Sequence, residues 1–304
     1  MAALEIVVLI FVLAAGSFLC EPEPFQQAWS AFLQMSGVLM EGQGDGSASL
    51  PTPLDWLDWP VCVGWVAMVA TYWVVGLSFL VVDLVHRPAL VYNTKIQPAS
   101  PLLPEGGARN PPLWAALVEL VLCQCFVVLP GLQLISFVAR ALGAGLEVSA
   151  QLPSLAHCAL HIFLAAAATE VLFYYSHRLL HAPALYARVH KEHHRWRTPI
   201  ALAALHAHPL EVFLGNTLSL MAAPFFLRTH FLVWLLSVCV GMVGTQLHHC
   251  GYKVTPHADI QPNFHDWHHE KFNECFGLFG WLDWLHGTDA AFRQRAAARD
   301  ALRK

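Results

Sequence analysis

Residues 152–181 read LPSLAHCALHIFLAAAATEVLFYYSHRLLH. The stretch opens as a membrane span and closes on a pair of histidines, and its reading decides the fold. About 20 predominantly apolar residues cross the hydrocarbon core of a bilayer. Residues 152–174 supply such a run with no Lys, Arg or Asp. His177 and His181 then stand four apart, a spacing that puts both on one face of a helix. Two more groups follow downstream, HKEHH (190–194) and HDWHH (265–269). The chain holds 18 histidines, and all but His86 fall between His157 and His286.

The surrounding composition fits a membrane setting. Of 304 residues, 56% are hydrophobic and 12% charged, and the mean hydropathy is +0.49. A soluble domain carries about a quarter charged residues, so this chain reads as an integral membrane protein. A formal charge of −4 and the lack of any long basic run before the tail RQRAAARDALRK (293–304) exclude nucleic acid as a partner. The eight cysteines form no CxxC units, which leaves neither a zinc ribbon nor a disulfide framework. Small buried hydrophobes are the plain reading of these cysteines.

Apolar runs predict spans at 2–20, 61–83, 113–137 and 152–174, the first an uncleaved N-terminal anchor. A longer run at 200–247, broken by Pro209, Pro224 and LRTH (227–230), predicts a helical hairpin that enters the membrane and returns. Residues 21–59 carry six acidic residues and no basic one; Arg87, Lys95 and Arg109 lie in the 84–111 loop, and Arg178, Arg188, Lys191, Arg195 and Arg197 in 175–199. The positive-inside rule puts the first segment in the lumen and the other two in the cytosol. All three histidine groups then fall on the cytosolic face. The expected fold is all-α, a polytopic membrane helical bundle with a cytosolic helical cap carrying a polyhistidine dimetal site. Three segments are expected: an N-terminal membrane anchor region with a lumenal loop (1–84), a membrane-embedded catalytic domain (85–295) and a basic cytosolic tail (296–304).

Helical spacing predicts that each group aims its imidazoles at one point. The groups supply His177 and His181; His190, His193 and His194; and His265, His268 and His269. Eight imidazoles exceed the four ligands of a zinc site. Two octahedral metals offer about twelve positions, which favours a dinuclear site, and imidazole alone does not choose among iron, zinc, copper and nickel. His249 (HHCGY, 248–252) and His208 (AHPLE, 207–211) are further candidate ligands. His206, His248, His257 and His286 read as polar interface residues, and His157 and His161 as neutral packed residues within a span. Glu192 and Asp266 fall off the ligand face. Glu170 is a candidate to fix the tautomer of a ligand imidazole, or else a plain end-of-helix carboxylate.

The order HRLLH, HKEHH, HDWHH resembles the HxxxH, HxxHH, HxxHH pattern of the sterol desaturase and fatty acid hydroxylase superfamily. The resemblance covers residues 85–295 and includes FYYSHRLLH (173–181), HKEHHRWRTPI (190–200), AHPLE, HHCGY and WLHGTD (284–289). The stretch HDWHHEKFNECFGLFGWLDWLHGTD (265–289) looks most like relatives of the C-4 methylsterol oxidases. The resemblance implies an endoplasmic reticulum enzyme with two non-haem iron ions. It also implies electrons from NAD(P)H through cytochrome b5, dioxygen as co-substrate and a membrane lipid as substrate. By matching position, the eight box histidines are the implied ligands. His249 matches the histidine of the family's H-x-G-Y element, and His208 that of its A-H-P element. Two departures stand out: Val171 follows Glu170 where many relatives have Asp, and Cys275-Phe276-Gly277 stands where many sterol oxidases read Asn-Tyr-Gly. Both bear on substrate choice more than on metal.

Sterol C-4 methyl oxidation is the leading expectation, and fatty-acyl or sphingolipid hydroxylation is its rival within the class. A non-enzymatic sterol-binding protein that keeps its metal is a second rival, although no box is lost. A metal transporter would place histidines and carboxylates near mid-membrane, and these histidines cluster at the ends of spans instead.

Overall fold

The computed structural model describes residues 22–35, 57–97, 111–254 and 262–301. The apolar run 2–20, most of the acidic loop, residues 98–110, His257 and the end of the tail lie outside the described residues. The described chain is helical, and its only β-type pairings are two isolated bridges. After α1 (Pro22–Met35) come three long apolar helices, α2 (Trp59–Val85), α3 (Leu113–Ala141) and α4 (Leu155–Leu180). Next, α5 (209–226) and α6 (Phe231–His249) occupy the run in which the membrane hairpin is expected, and of the two only α6 is long and apolar enough to cross. The helices α2, α3, α4 and α6 are each long and apolar enough to cross a membrane. The cap consists of α7 (Asn263–Lys271), α8 (Trp281–His286) and α9 (Ala290–Ala301).

A stripe at every fourth residue, Gly64, Met68, Tyr72, Gly76 and Leu80, is the buried face of α2. It packs against α6, where the two glycines allow close approach. A Cβ on Gly64 would lie 2.1 Å from the ring of Trp234, itself buried against Phe225 and Phe231. Gly64→Ala is therefore expected to lower stability by about 1–3 kcal/mol through overpacking. Thermal unfolding in detergent checks this, and an unchanged midpoint would contradict the packing. Between α2 and α3 the contact is polar. Trp65 donates to the Gln124 carbonyl at 3.0 Å, and Trp73 donates to its side-chain oxygen at 2.8 Å. That carbonyl sits in a π-helical turn (Gln124–Val128) just before Pro130, which lacks the N–H needed to continue the ladder.

The ends of the bundle are pinned differently. At one end Glu147 pairs with His230, with Phe231 N donating to Glu147 O at 2.8 Å. His157 and His161, stacked at 3.9 Å, lie in the first two turns of α4 near this end, and His161 bonds Thr229. Both are packed as expected, though near the end of the helix, and of the two side chains only His161 is hydrogen-bonded, since His157 Nε2 is buried without a partner among the described residues. At the other end Lys95 pairs with Tyr252, and Asp83 receives both the Lys95 ammonium (3.0 Å) and the Tyr252 hydroxyl (2.5 Å). Gln97 joins this end to the cap by donating to Asp266 and to Arg197 O. Asp266, expected to lie off the ligand face, is held there. α9 runs through positions 295 and 296. Arg295 of α9 lies over the Trp267 ring at 4.7 Å.

Candidate metal centre

The first histidine group sits on the last turn of the span itself. Ser154 caps α4 by accepting from His157 N, and the helix runs through His177 to Leu180, with His181 as its C-cap. The second group is not on one α-helix. His190 ends a π-helical turn (Tyr186–His190), and His193 opens a short 3-10 turn (His193–Arg195). The third group lies on α7.

These elements assemble nine imidazoles into two groups. One holds His177, His181, His190, His194 and His268; the other holds His193, His249, His265 and His269. Within each group one ring nitrogen per residue lies within 4.8 Å of all the others, and either group could hold a metal ion. The expectation that each sequence group aims at a single point is therefore corrected. HKEHH sends His190 and His194 to the first centre and His193 to the second. HDWHH sends His265 and His269 to the second and His268 to the first. The reason is elementary: neighbouring residues on a helix diverge by about 100°, while residues four apart nearly coincide. The doubled His-His was the available signal for this crossing.

His249 joins the second group. His208 joins neither, so its candidacy is corrected as well. It is exposed at the start of α5, where its Nδ1 accepts from Leu210 N at 3.2 Å. A capping nitrogen turned to its own backbone is not turned to the centre. His206, expected at an interface, is buried beside Glu119 (3.0 Å) and within reach of Glu192, which also pairs with Arg195. His286 is an interface residue as expected and meets the Tyr175 hydroxyl at 3.0 Å.

Second partners set the tautomers. His177 donates from Nδ1 to Phe276 O at 2.7 Å, His268 to Glu274 O at 2.7 Å, and His249 to Thr245 O at 2.8 Å. His193 Nδ1 meets His206 O at 3.3 Å, and His190 Nδ1 lies 2.8 Å from Glu211 without hydrogen-bond alignment. A neutral imidazole carries one ring proton. With that proton on Nδ1, the Nε2 lone pairs of these rings turn inward. His177 and His190 bring Nε2 atoms to 3.1 Å, His190 and His194 to 3.0 Å, and His265 and His249 to 2.9 Å. Nε2 atoms gathered at such distances, on rings such as His177, His249 and His268 whose Nδ1 protons are engaged outward, form a donor set that a borderline cation satisfies.

Glu170 does not touch an imidazole. Fully buried, its carboxylate accepts from the backbone N–H groups of Leu278, Phe279, Trp281 and Leu282. Asp283 accepts from Phe276 N and Gly277 N and from the Thr288 hydroxyl. Together they hold the loop whose Phe276 carbonyl orients His177. Gly277 is required between them, since a Cβ there would lie 2.7 Å from Asp283 and 2.8 Å from Glu170. The sequence reading of Glu170 as a direct partner of a ligand is thus replaced by an indirect one. Asp283 went unnoticed, because irregular loops carry no period.

Burial pushes His181 down to about 2 and holds His190, His193, His194, His265, His268 and His269 well below the usual imidazole range, with neighbouring rings pushing the same way. These rings are neutral at pH 7 and ready to act as ligands. In the unfolded chain they take up protons near pH 6.5. Below that value the unfolded state binds more protons, so stability falls as pH falls. Metal-free protein is expected to lose thermal stability steadily from pH 7 to pH 5.5. A flat midpoint over that window would refute the assignment of buried neutral rings.

A cavity of about 30 Å³ touches both groups through His177, His190, His193, His249 and His265. Its outer wall is formed by α4, α5 and α6 with Phe173, Leu180 and Leu220, and by Leu278 of the cap.

The described chain is thus a helical bundle with four candidate membrane spans and two buried histidine clusters beside a cavity, each cluster able to hold a metal ion. The profile of the fatty acid hydroxylase family matches residues 162–288, and the chain belongs to that family. Over 128 residues it is 45% identical to human "Fatty acid hydroxylase domain-containing protein 2", covering 42% of this chain and 38% of that protein. It is 32% identical to "Methylsterol monooxygenase 2-2" of Arabidopsis thaliana over 190 residues, 59% of this chain and 70% of the relative. It is 33% identical to "Very-long-chain aldehyde decarbonylase GL1-8" of Oryza sativa subsp. japonica over 147 residues, 43% and 52% of the two chains. The match thus spans well under two thirds of the human relative's length. No solved structure matches the chain.

Proposed function

We propose that this protein is a di-iron monooxygenase that oxidises a lipid C–H bond, with the C-4 methyl group of a sterol as substrate. The observation that carries the reading is the nine-imidazole arrangement, which opens on a cavity walled in part by Phe173, Leu180, Leu220 and Leu278. His177, His181, His190, His194 and His268 hold one iron; His193, His249, His265 and His269 hold the other. Residues 85–295 form the catalytic domain. Iron supplies the dioxygen activation needed to attack an unactivated C–H bond. NAD(P)H, through cytochrome b5, supplies electrons. The reading places the protein in the endoplasmic reticulum membrane with the histidine end in the cytosol, where Arg178, Arg188, Lys191, Arg195 and Arg197 lie.

The chain's own residues do the rest. The carbonyls of Phe276, Glu274 and Thr245 hold ligand rings in one tautomer. Glu170 and Asp283 fix the loop that carries the first of these. Phe173, Leu180, Leu220 and Leu278 offer an apolar wall that excludes water and takes a lipid tail. The relative named a methylsterol monooxygenase supports the sterol, and the family's description keeps acyl lipids in the test.

Membranes holding the wild type or His193→Ala, given NADH, oxygen, 4-methylsterols and long-chain acyl lipids, are the test. A hydroxylated or carboxylated 4-methylsterol, seen only with the wild type, is expected by mass spectrometry. An oxidised acyl chain would replace the substrate. No product from an iron-loaded protein would remove the enzymatic reading.

A further inference from the structure

The cavity beside the clusters is not wholly apolar. Asn216, Thr245 and His248 also line it. None of their side chains has a hydrogen-bond partner among the described residues. Each polar atom also retains some accessible surface, so the cavity leaves them open and does not seal them in protein. Three polar groups left open in this way are free to pair with a polar group that enters the cavity.

Their placement has a local cause. Asn216 lies in a π-helical stretch of α5 (Val212–Leu218), a widening common at functional sites. The Thr217 hydroxyl donates to Val212 O at 2.9 Å and the Ser219 hydroxyl to Leu214 O at 2.9 Å. These two hydroxyls bond carbonyls of the widened turn, so the Asn216 amide is not needed there. Gly215, beside it, also lines the cavity. Thr245 and His248 come from the facing helix α6, and the Thr245 carbonyl already receives the proton of His249. Thr245 and His248 therefore lie within one helical turn of the cluster residue His249, and Asn216 faces the same cavity from α5.

We infer that Asn216, Thr245 and His248 form a seat for a neutral hydroxyl or carbonyl group borne by the substrate close to the carbon that is oxidised. The three groups are an amide, a hydroxyl and an imidazole, and the one carboxylate that also lines the cavity, Glu211, is turned to His190 Nδ1 at 2.8 Å, so the seat suits an uncharged donor–acceptor group. The inference rests on the lipid-oxygenase reading and narrows it. A 4-methylsterol carries its 3-hydroxyl on the adjoining ring carbon, and a hydroxylated acyl or sphingoid lipid offers the same chemistry from another source. A plain hydrocarbon chain end does not.

The test is equilibrium binding of two radiolabelled lipid pairs to membranes holding the full chain. One pair is a 4,4-dimethylsterol and its 3-deoxy analogue; the other is a sphingoid base derivative with and without its hydroxyl. The proteins are the wild type, Asn216→Leu, Thr245→Val and Thr245→Ser, with iron content measured for each to confirm an intact site. In at least one pair the wild type should bind the hydroxylated member about fivefold tighter or more, the scale of one net hydrogen bond. Asn216→Leu and Thr245→Val should lose that preference while binding the deoxy member unchanged, and Thr245→Ser should keep it. A preference confined to the sphingoid pair upholds the seat and overturns the sterol reading. The seat is overturned if the wild type shows no preference, if the preference survives in Asn216→Leu and Thr245→Val, or if neither pair binds.

Discussion

His193→Ala and His194→Ala should give different metal contents, although the two residues are adjacent. His193 belongs to the four-imidazole group and His194 to the five-imidazole group. Removing the first leaves three imidazoles in one centre and five in the other; removing the second leaves four in each. His193→Ala is therefore expected to retain about one metal per chain, and His194→Ala more than that. Product formation should fall by more than about a hundredfold in His193→Ala, since loss even of a ligand's outer partner costs 10–100-fold. Metal analysis on purified protein, with iron spectroscopy to tell the centres apart, reads this directly. Were the two variants to lose metal identically, each sequence group would serve a single centre and the crossed arrangement would be wrong.

The second large effect is expected at Glu170, far from any metal by contact but close by consequence. Glu170→Ala would leave four backbone N–H groups around residues 278–282 without their acceptor. Each unsatisfied buried donor costs about 1–3 kcal/mol, and the loop can relax only in part. A loss of more than about 3 kcal/mol in stability is expected, with Glu170→Gln falling between Ala and wild type. Metal content should fall as well, because the same loop supplies the Phe276 carbonyl that orients His177. Thermal unfolding and metal analysis of the two variants decide it. Stability within 1 kcal/mol of wild type for Glu170→Ala would show that water or another donor replaces the clamp.

Much of this was legible in the sequence, for identifiable reasons. Long apolar runs announce spans by length alone, and the start of α3 at Leu113 was read to the residue. Histidines at helical spacing announce ligands, and the eight box residues and His249 are together in the structure. Part of what escaped the sequence depends on departures from α-helix. HKEHH splits between the centres as HDWHH does on a regular helix, and its π-helical and 3-10 turns are a separate departure from the single helix that its spacing implies. His208 and His249 both sit in quotable motifs, and only backbone geometry separates the capping residue from the cluster residue. Glu170 was noticed for its position before HRLLH, but its partners are backbone amides of a loop, which no side-chain pattern encodes. The cavity polar groups are scattered over two helices and became a set only when α5 met α6.

The crossing of the histidine groups also has a consequence for how the protein is made. Neither centre can be completed from a contiguous piece of chain. The first needs His177 and His268, and the second needs His193 and His269, with α5 and α6 lying between them in sequence. Both centres must therefore wait for the same late event, the arrival of α7 at the ribosome exit after both helices. Until then only part of each histidine group is present. Any metal that the two groups hold would thus be loaded after synthesis, and a metal source acting earlier would find only partial sites to fill.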